Sequence, residues 1–363
     1  MGGPEDAGPE AGGSNSGSLA DAAPQNGPGV HAVGNQLYDG SKAIRLLGVN
    51  RPGSEYACLN GNMFDPADGS GNNAATITAM LAWHVNAVRV PLNEDCWLGL
   101  NGVPAQASGA AYQAAIKTWV DLLLQNAIYP IIELHWTEGP GGAKATGQQP
   151  MPDATHGAEL WTAVATAYGS QPKVIFELFN EPYPANDTDN GWACWRDGGT
   201  GCGPSYAIVG MQGMLNAVRA AGAKNFVLLG GLEYSNDLTK WVQYEPTDPA
   251  NNLGAAWHVY TNSATTGTKG SAAYMTDADG VAMKVPIVAT EIGDAACGAN
   301  GQPANGGAFI SGIMSFIDAL TPPQSYLGWA WSTDDQPIMI SSYDGTPTCG
   351  GIPYKAHLLA TPH

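Results

Sequence analysis

Two glutamates of this chain stand at the ends of apolar runs, where a charged residue usually faces something to be bound. Glu181 follows the run Val174–Phe179 within Phe-Asn-Glu-Pro, and Glu291 ends the run Ile-Val-Ala-Thr. Two carboxyl groups whose surroundings push their pKa values apart provide one proton donor and one ionised group. We therefore interpret Glu181 and Glu291 as a pair suited to acid–base and nucleophilic chemistry. The alternative for Glu181 alone is a strand entering a turn, since Asn and Pro are ordinary turn residues.

Other polar and aromatic residues also follow apolar runs. Taken singly, Arg89 could be a buried ion-pair partner, and His135 or His258 a core histidine. Because the whole set falls at the same end of successive runs, packing does not explain it. The candidate site therefore contains, besides the two glutamates, Arg89, His135, Asn180, His258, Tyr260 and Trp331.

The elements that must position these residues are eight short apolar runs separated by amphipathic stretches. Strands that read as apolar runs and alternate with helices are typical of a parallel sheet buried on both faces. Eight such units predict an α/β fold, a single closed (β/α)8 TIM barrel with its site at the C-terminal ends of the strands. The competitor is an open doubly wound sheet, which usually has a glycine-rich first turn; residues 50–55 lack it. The predicted strands are Ile44–Val49, Ala87–Val90, Tyr129–Leu134, Val174–Phe179, Phe226–Leu229, Ala255–Val259, Pro286–Thr290 and Tyr326–Trp331.

The helices between these runs show an apolar period of 3.6 residues. Tyr112, Ile116, Trp119 and Leu123 follow the i, i+3, i+4, i+7 rule. Residues 1–29 are rich in Gly, Pro, Ser and Ala and predict a disordered leader or linker. We expect residues 30–363 to form one catalytic domain, since no internal repeat or composition break divides them.

Composition excludes several classes of partner. The 14 basic and 32 acidic residues leave a net charge of −18, which disfavours nucleic acid and anionic membranes. No apolar run is long enough for a transmembrane helix, and no signal peptide stands at the start. An even number of cysteines and little lysine nevertheless favour a secreted protein. We expect a monomer that acts on a neutral ligand.

The strand-end residues resemble those of glycoside hydrolase family 5, in the clan A group of retaining glycosidases. The resemblance covers residues 40–360, and the Asn-Glu-Pro after strand four and the glutamate after strand seven are its most specific motifs. It implies Glu181 as general acid/base and Glu291 as nucleophile. It also implies that Arg89 keeps the nucleophile ionised and that Tyr260 donates a hydrogen bond to it.

The same resemblance implies roles around the sugar. Asn180 would hold the sugar 2-hydroxyl, His135 and His258 would line the site, and Trp331 would form its floor, often before a non-proline cis peptide. A retaining enzyme needs its two carboxyls about 5–5.5 Å apart. The resemblance thus implies double-displacement hydrolysis of β-linked glycosides without a cofactor. An exo-acting enzyme on terminal β-glucoside, β-mannoside or furanoside units is the alternative, and a non-catalytic sugar-binding barrel belongs to another class.

Several further residues are weaker candidates for sugar contacts. Glu55 lies in a loop at the correct end, and Asn93, within Asn-Glu-Asp, could form a wall of the cleft. Aromatic rings stack on sugar faces, so the loop tryptophans are also candidates, although about half of the eleven in the chain should be core residues. The glycine-rich insert of residues 184–204 favours a pocket over an open groove. The tryptophans expected at the mouth are Trp97, Trp136, Trp192, Trp195 and Trp257.

The cysteines and carboxylates show no metal-site pattern. There is no CxxC or HExxH spacing, so we expect no metal at the histidines and glutamates of the site. Glu133 and Glu177 should instead fill the barrel as paired buried carboxyls. Neighbouring strands in barrel order favour three disulfides, with free buried thiols as the alternative. The expected pairs are Cys58–Cys96, Cys194–Cys202 and Cys297–Cys349.

Overall fold

A computed structural model describes residues 1–2, 29–260, 280–294 and 307–362. Eight parallel strands, numbered β1 to β8 here, close into a barrel in chain order, with β8 pairing to β1. The predicted (β/α)8 fold is confirmed. The strands are β1 (Leu47–Asn50), β2 (Ala87–Asn93), β3 (Tyr129–Trp136), β4 (Ile175–Glu177), β5 (Val227–Gly230), β6 (Leu253–Tyr260), β7 (Ile287–Gly293) and β8 (Ser325–Gly328).

Strand β8 ends earlier than predicted. The predicted strand ran to Trp331, but β8 ends at Gly328, and the peptide bond between Trp329 and Ala330 is cis. The Gly-Trp-Ala-Trp run after the strand is apolar throughout, so hydrophobicity alone does not mark the end of β8.

Helices cover the outside of the barrel. Helix Ala110–Gln125 buries Tyr112, Ile116, Trp119 and Leu123, the apolar face that the sequence pattern predicts. The other helices are Ser54–Ala57, Ala74–Leu81, Glu94–Leu98, Gly157–Tyr168, Asp189–Asp197, Met211–Ala220, Ala308–Ala319 and Gly351–Ala360, with 3-10 turns at Cys58–Asn60 and Ala105–Ala107. After β5 comes the turn Leu232–Ser235, whose last three residues have positive φ.

A small antiparallel sheet closes the N-terminal end of the barrel. Its strands are Val30–Val33, Gln36–Asp39 and Lys42–Ile44. Val30, Leu37 and Ile44 form one apolar cluster with barrel residues such as Ile131 and Leu228. The sheet therefore plugs the floor of the barrel.

The plug is also hydrogen-bonded to loops around the floor. The Val30 backbone N–H donates to the Pro172 carbonyl, and the Ala32 backbone N–H donates to the Asn252 side chain. The Asn35 amide donates to Ala282 and Thr321 carbonyls. Residues 30–44 thus belong to the folded domain, while residues 3–28 lie outside the described residues and the leader stays a prediction. Two short ribbons, Gly198–Gly199 with Ile208–Val209 and Ile340–Ser342 with Thr346–Pro347, complete the strands.

Two of the three predicted disulfides are present. Cys58 is bonded to Cys96, which joins the segments after β1 and β2, and Cys194 to Cys202, which closes the insert after β4. Cys297 of the third predicted pair lies outside the described residues. Within the described ranges, the helices are too short or too polar to cross a membrane.

Candidate active site

Arg89 is the electrostatic centre of the catalytic end of the barrel. It lies on β2, its side chain is fully buried, and its five N–H donors are spread over several strands. Nη1 donates to Glu291 Oε1 at 2.6 Å, and Nε donates to Glu177 Oε2 at 2.7 Å. Nη2 donates to Asn180 Oδ1 at 2.8 Å, and Nη1 also reaches Asn50 Oδ1 at 3.1 Å. One guanidinium therefore orients residues of β1, β4 and β7 together.

Glu291, on β7, is held as an ionised carboxylate. Its Oε1 accepts from Arg89, and its Oε2 accepts from the Tyr260 hydroxyl at 2.5 Å. Burial opposes ionisation, but the charges of His258, Arg89 and His135 outweigh it and hold the pKa of Glu291 below its usual range. Burial and the Glu291 charge raise the pKa of Tyr260 well above its usual range, so Tyr260 stays a hydroxyl donor.

Glu181 is the more open of the two site glutamates. Its side chain is 23% exposed, against 5% for Glu291. His258 Nδ1 lies 3.0 Å from Glu181 Oε1 and 3.5 Å from Glu291 Oε2, so this ring stands between the two carboxyls. Burial lowers the pKa of His258, but Glu291, Glu177 and Glu181 raise it to about 9. The carboxylates around the ring therefore favour the protonated form of His258.

His135 and Asn180 form a second layer beside the carboxyls. His135 Nδ1 lies 2.6 Å from Glu133 Oε1, and its Nε2 lies 3.4 Å from Asn180 Nδ2. Burial opposes protonation, yet Glu133 raises the pKa of His135 to about 9. Glu133 and Glu177 are fully buried on adjacent strands, and both pair with Arg89, as expected of buried carboxyls that fill the barrel. Glu177 also accepts from the Thr290 hydroxyl.

The separation of the site glutamates limits the chemistry. Carboxylate oxygens of Glu181 and Glu291, together with a nitrogen of His258, all lie within 4.8 Å of one another. Such a cluster is small enough for a metal ion. Both Glu291 oxygens, however, already accept hydrogen bonds, one from Arg89 and one from Tyr260. The donor set therefore favours a metal-independent carboxyl pair.

Trp331 is expected at the floor of the site, but the tryptophan before the cis peptide bond is Trp329, two residues earlier. Trp331 is fully buried and packs edge-on against Trp83 with ring centroids 5.0 Å apart. Trp329, which precedes the cis peptide bond, is partly exposed and stacks on His135 at 6.0 Å. The prediction for Trp331 is wrong, because β8 ends three residues earlier than expected and the chain then turns the second tryptophan into the core.

Most of the tryptophans expected at the mouth are core residues. Nine of the eleven side chains are buried, among them Trp97, Trp192, Trp195 and Trp257. Trp195 Nε1, for example, donates to the Gly230 carbonyl at 2.8 Å. The two that stay partly exposed are Trp136, after β3, and Trp329, after β8. The loops fold back onto the barrel and carry their aromatic residues inward.

Two polar candidates are also buried. Asn93 is fully buried: its oxygen caps helix Glu94–Leu98, and its amide donates to the carbonyls of Glu55 and Ala145. It is therefore a capping residue and not a wall of the cleft, as expected of Asn before a helix. The Glu55 side chain is 3% exposed and accepts from the Gly53 backbone N–H, and burial raises its pKa to about 7.

Some residues near the site could not be recognised as site residues from the sequence. Gln148 accepts from Asn180 Nδ2 at 3.0 Å and donates to the Glu181 carbonyl. Thr290 lies 3.1 Å from His258 Nε2. Gln148 lies in an irregular loop with no periodic pattern, and Trp329 could have been found only by weighing both tryptophans of Gly-Trp-Ala-Trp.

A closed (β/α)8 barrel with two carboxyls at the C-terminal ends of β4 and β7 is the architecture of a glycoside hydrolase. The chain belongs to glycosyl hydrolase family 5, whose cellulase model matches residues 49–335. The predicted family is confirmed, and the matched residues form a domain of the glycosidase class.

Individual proteins that resemble this chain share about a quarter of its residues over part of its length. The manganese dependent endoglucanase Eg5A of Phanerodontia chrysosporium is 27% identical over 198 residues, 53% of this chain and 45% of that protein. The cellulase CelDZ1 of a Thermoanaerobacterium species is 25% identical over 236 residues, 64% of this chain and 54% of that one. The chain thus spans about half the length of these curated relatives.

A solved structure shares the fold along most of the chain. The β-glucanase SdGluc5_26A of Saccharophagus degradans superimposes with a TM-score of 0.69 at 21% identity, covering 92% of this chain and 93% of that one. Its complex with cellotetraose gives a TM-score of 0.68 at 22% identity, with the same coverage of both chains. At this identity the likeness shows the shared barrel.

Proposed function

We propose that the protein is a retaining endo-β-glucanase with Glu181 as general acid/base and Glu291 as nucleophile. The observation that carries this proposal is the close approach of the two carboxylates, since one oxygen of Glu181 lies within 4.8 Å of one oxygen of Glu291. Retaining enzymes place their carboxyls about 5–5.5 Å apart, whereas inverting enzymes need about 6.5–9.5 Å to admit a water molecule. The β-glucan substrate is supported by the names of the relatives, which are an endoglucanase, a cellulase and a β-glucanase.

In the first step, Glu181 gives its proton to the glycosidic oxygen while Glu291 attacks the anomeric carbon. The bond to the leaving sugar breaks, and a glycosyl ester forms on Glu291. Arg89 and Tyr260 hold this carboxylate ionised and aimed, and His258 Nδ1 faces both glutamates.

In the second step, the Glu181 carboxylate takes a proton from water as that water attacks the anomeric carbon. The ester bond breaks, and Glu291 leaves as a carboxylate. Two inversions at one carbon give net retention. Asn180, oriented by Arg89, is the proposed partner of the sugar 2-hydroxyl.

The stereochemical outcome tests the proposal directly. Following the hydrolysis of cellopentaose by proton NMR, we expect the β-anomer of the new reducing end to appear first and the α-anomer only by mutarotation. Sizing of products from carboxymethylcellulose, mixed-linkage β-glucan, mannan and xylan identifies the backbone and separates endo from exo cleavage. An α-anomer formed first would contradict the mechanism, and cleavage confined to mannan or xylan would contradict the substrate.

Trp329 is the proposed sugar platform. We expect Trp329→Ala to lower kcat/KM about 10- to 100-fold, because it removes a stacking face worth about 1–3 kcal/mol, while the melting temperature changes little. Trp331→Ala provides the matched comparison: it empties a core position, which costs about 3–5 kcal/mol of stability. Steady-state kinetics and thermal unfolding of both variants check this. Equal kinetic defects in the two folded variants would refute the platform role.

We also infer that the protein works outside the cytoplasm, as a monomer. Two disulfides on the catalytic side of the barrel support the first part, because such bonds persist in oxidising compartments.

A further inference from the structure

A second group of titratable side chains lies away from the catalytic pair, between the loop after β3 and the start of helix Gly157–Tyr168. Glu138 belongs to the loop, and Asp153 and His156 precede the helix. One carboxylate oxygen from each acid and one ring nitrogen of His156 all lie within 4.8 Å of one another. His156 Nδ1 is 3.3 Å from Glu138 Oε2 and 3.8 Å from Asp153 Oδ1.

Three buried polar atoms of this region have no hydrogen-bond partner in the described part of the chain. They are His156 Nδ1, Asp153 Oδ2 and Oε1 of the adjacent Glu94. Glu94 is fully buried and Asp153 is 5% exposed. The ring nitrogen bonds neither nearby carboxylate, so it is not aimed at either oxygen. The other oxygen of Glu94 accepts from Thr137 and from the Glu138 backbone N–H, which ties Glu94 to the same loop.

Three carboxyl groups buried together need compensation by positive charge or by protons. Among the residues that the structure describes, Glu94, Glu138 and Asp153 form no ion pair with lysine or arginine. Burial and the Asp153 charge raise the pKa of Glu94 well above its usual range, so a proton shared between Glu94 and Asp153 is one solution. That proton would leave His156 Nδ1 without a partner.

We propose that Glu138, Asp153 and His156 bind a divalent cation, with Glu94 as a third carboxylate nearby. Bonds of about 2.0–2.2 Å put neighbouring ligand atoms about 3.0–3.5 Å apart. His156 Nδ1 is already 3.3 Å from Glu138 Oε2, and its 3.8 Å distance to Asp153 Oδ1 would have to shorten slightly on binding. Two or three carboxylates with one imidazole favour a first-row ion such as Mn²⁺ or Zn²⁺, since Ca²⁺ prefers oxygen ligands alone.

The bound ion would act as a clamp between loop and helix. Asp153 Oδ1 already accepts from the backbone N–H groups of Thr155 and His156 and so fixes the start of the helix. A cation shared with Glu138 would fasten that helix start to the segment that carries Trp136 and His135 into the active site. The effect of the ion is therefore on stability first and on catalysis only through the position of this loop.

Calorimetric titration of the EDTA-treated full chain with MnCl₂ and ZnCl₂ tests the site. We expect one equivalent of at least one of these ions to bind and to raise the melting temperature by about 2–5 °C at saturation. His156→Ala and Asp153→Asn should weaken binding at least ~10-fold. The asparagine keeps an oxygen for the helix start, and the His156 side chain is 23% exposed, so it lies outside the core.

Two further variants locate the ion. His357 lies 2.7 Å from one carboxylate, Asp318, and forms no such cluster, so His357→Ala should leave binding unchanged. Glu181→Gln should also bind normally, which excludes the catalytic cluster as the site. Wild-type protein that binds neither ion would overturn the proposal in favour of the shared proton, as would binding that survives His156→Ala and Asp153→Asn but is lost in Glu181→Gln.

Discussion

Glu291→Ala is expected to reduce kcat/KM on cellopentaose by about 10⁴- to 10⁶-fold, because the glycosyl ester has no other carboxylate on which to form. Added azide should restore part of the activity by entering the space that the carboxylate leaves. Azide then attacks the anomeric carbon once, from the face opposite the leaving group, and the product is an α-glycosyl azide. Kinetics with and without azide, and NMR of the product, measure both effects.

The control is another glutamate on the same barrel. Glu159 is exposed on helix Gly157–Tyr168, so Glu159→Ala should retain wild-type activity with no response to azide. Because the pKa of Glu291 is held below its usual range, wild-type kcat/KM should persist at pH values where an ordinary glutamate is protonated. Activity of Glu291→Ala within tenfold of wild type would exclude it as the nucleophile.

Glu181→Ala is expected to show a loss that depends on the leaving group. General acid catalysis contributes about 10²- to 10⁴-fold, and we expect the full loss on cellopentaose, whose leaving sugar needs a proton. A dinitrophenyl glycoside needs none, so its glycosyl ester should still form and accumulate as a burst.

Azide distinguishes this variant from the previous one. With Glu291 intact, azide replaces water in the second step, so the product should be a β-glycosyl azide. Glu181→Gln provides a control of the same shape that can still donate a hydrogen bond but cannot transfer the proton. If Glu181→Ala gave the α-azide and Glu291→Ala the β-azide, the two roles would have to be exchanged.

The barrel and its carboxyl pair could be predicted because periodicity and strand ends carry the information. Eight apolar runs match eight strands, since parallel strands buried on both faces are apolar throughout. Glu181 and Glu291 can be recognised because each of these charged residues comes at the end of an apolar run, where the strands of a barrel present their functional residues. The Arg89 contacts with Glu291 and Asn180 follow from this topology, which brings the ends of β2, β4 and β7 together.

The errors have a common physical source. Asn93 and Asn180 are the same residue type before a glutamate, but one caps a helix and the other lies at the mouth, a difference set by the three-dimensional path of the loop. The same is true of Trp329 and Trp331, which hydrophobicity cannot rank. Glu138 lies 15 positions before Asp153 (153 − 138) in a separate loop, and the spacing of the Glu138–Asp153–His156 cluster matches neither CxxC nor HExxH, the metal motifs sought in the sequence.

The three-stranded sheet that plugs the floor of the barrel shows that the folded domain begins before the residues matched by the family model. The family match starts at residue 49, but Val30 and Leu37 fill the bottom of the barrel, and the Asn35 amide donates to the carbonyls of Ala282 and Thr321. A gene fragment cut at the family boundary would encode every proposed catalytic residue and leave the barrel open at its base. Among the residues that the structure describes, the loops at the opposite, C-terminal end of the barrel form no hydrogen bond with this sheet. Those loops can therefore be exchanged to change substrate specificity without altering the N-terminal sheet.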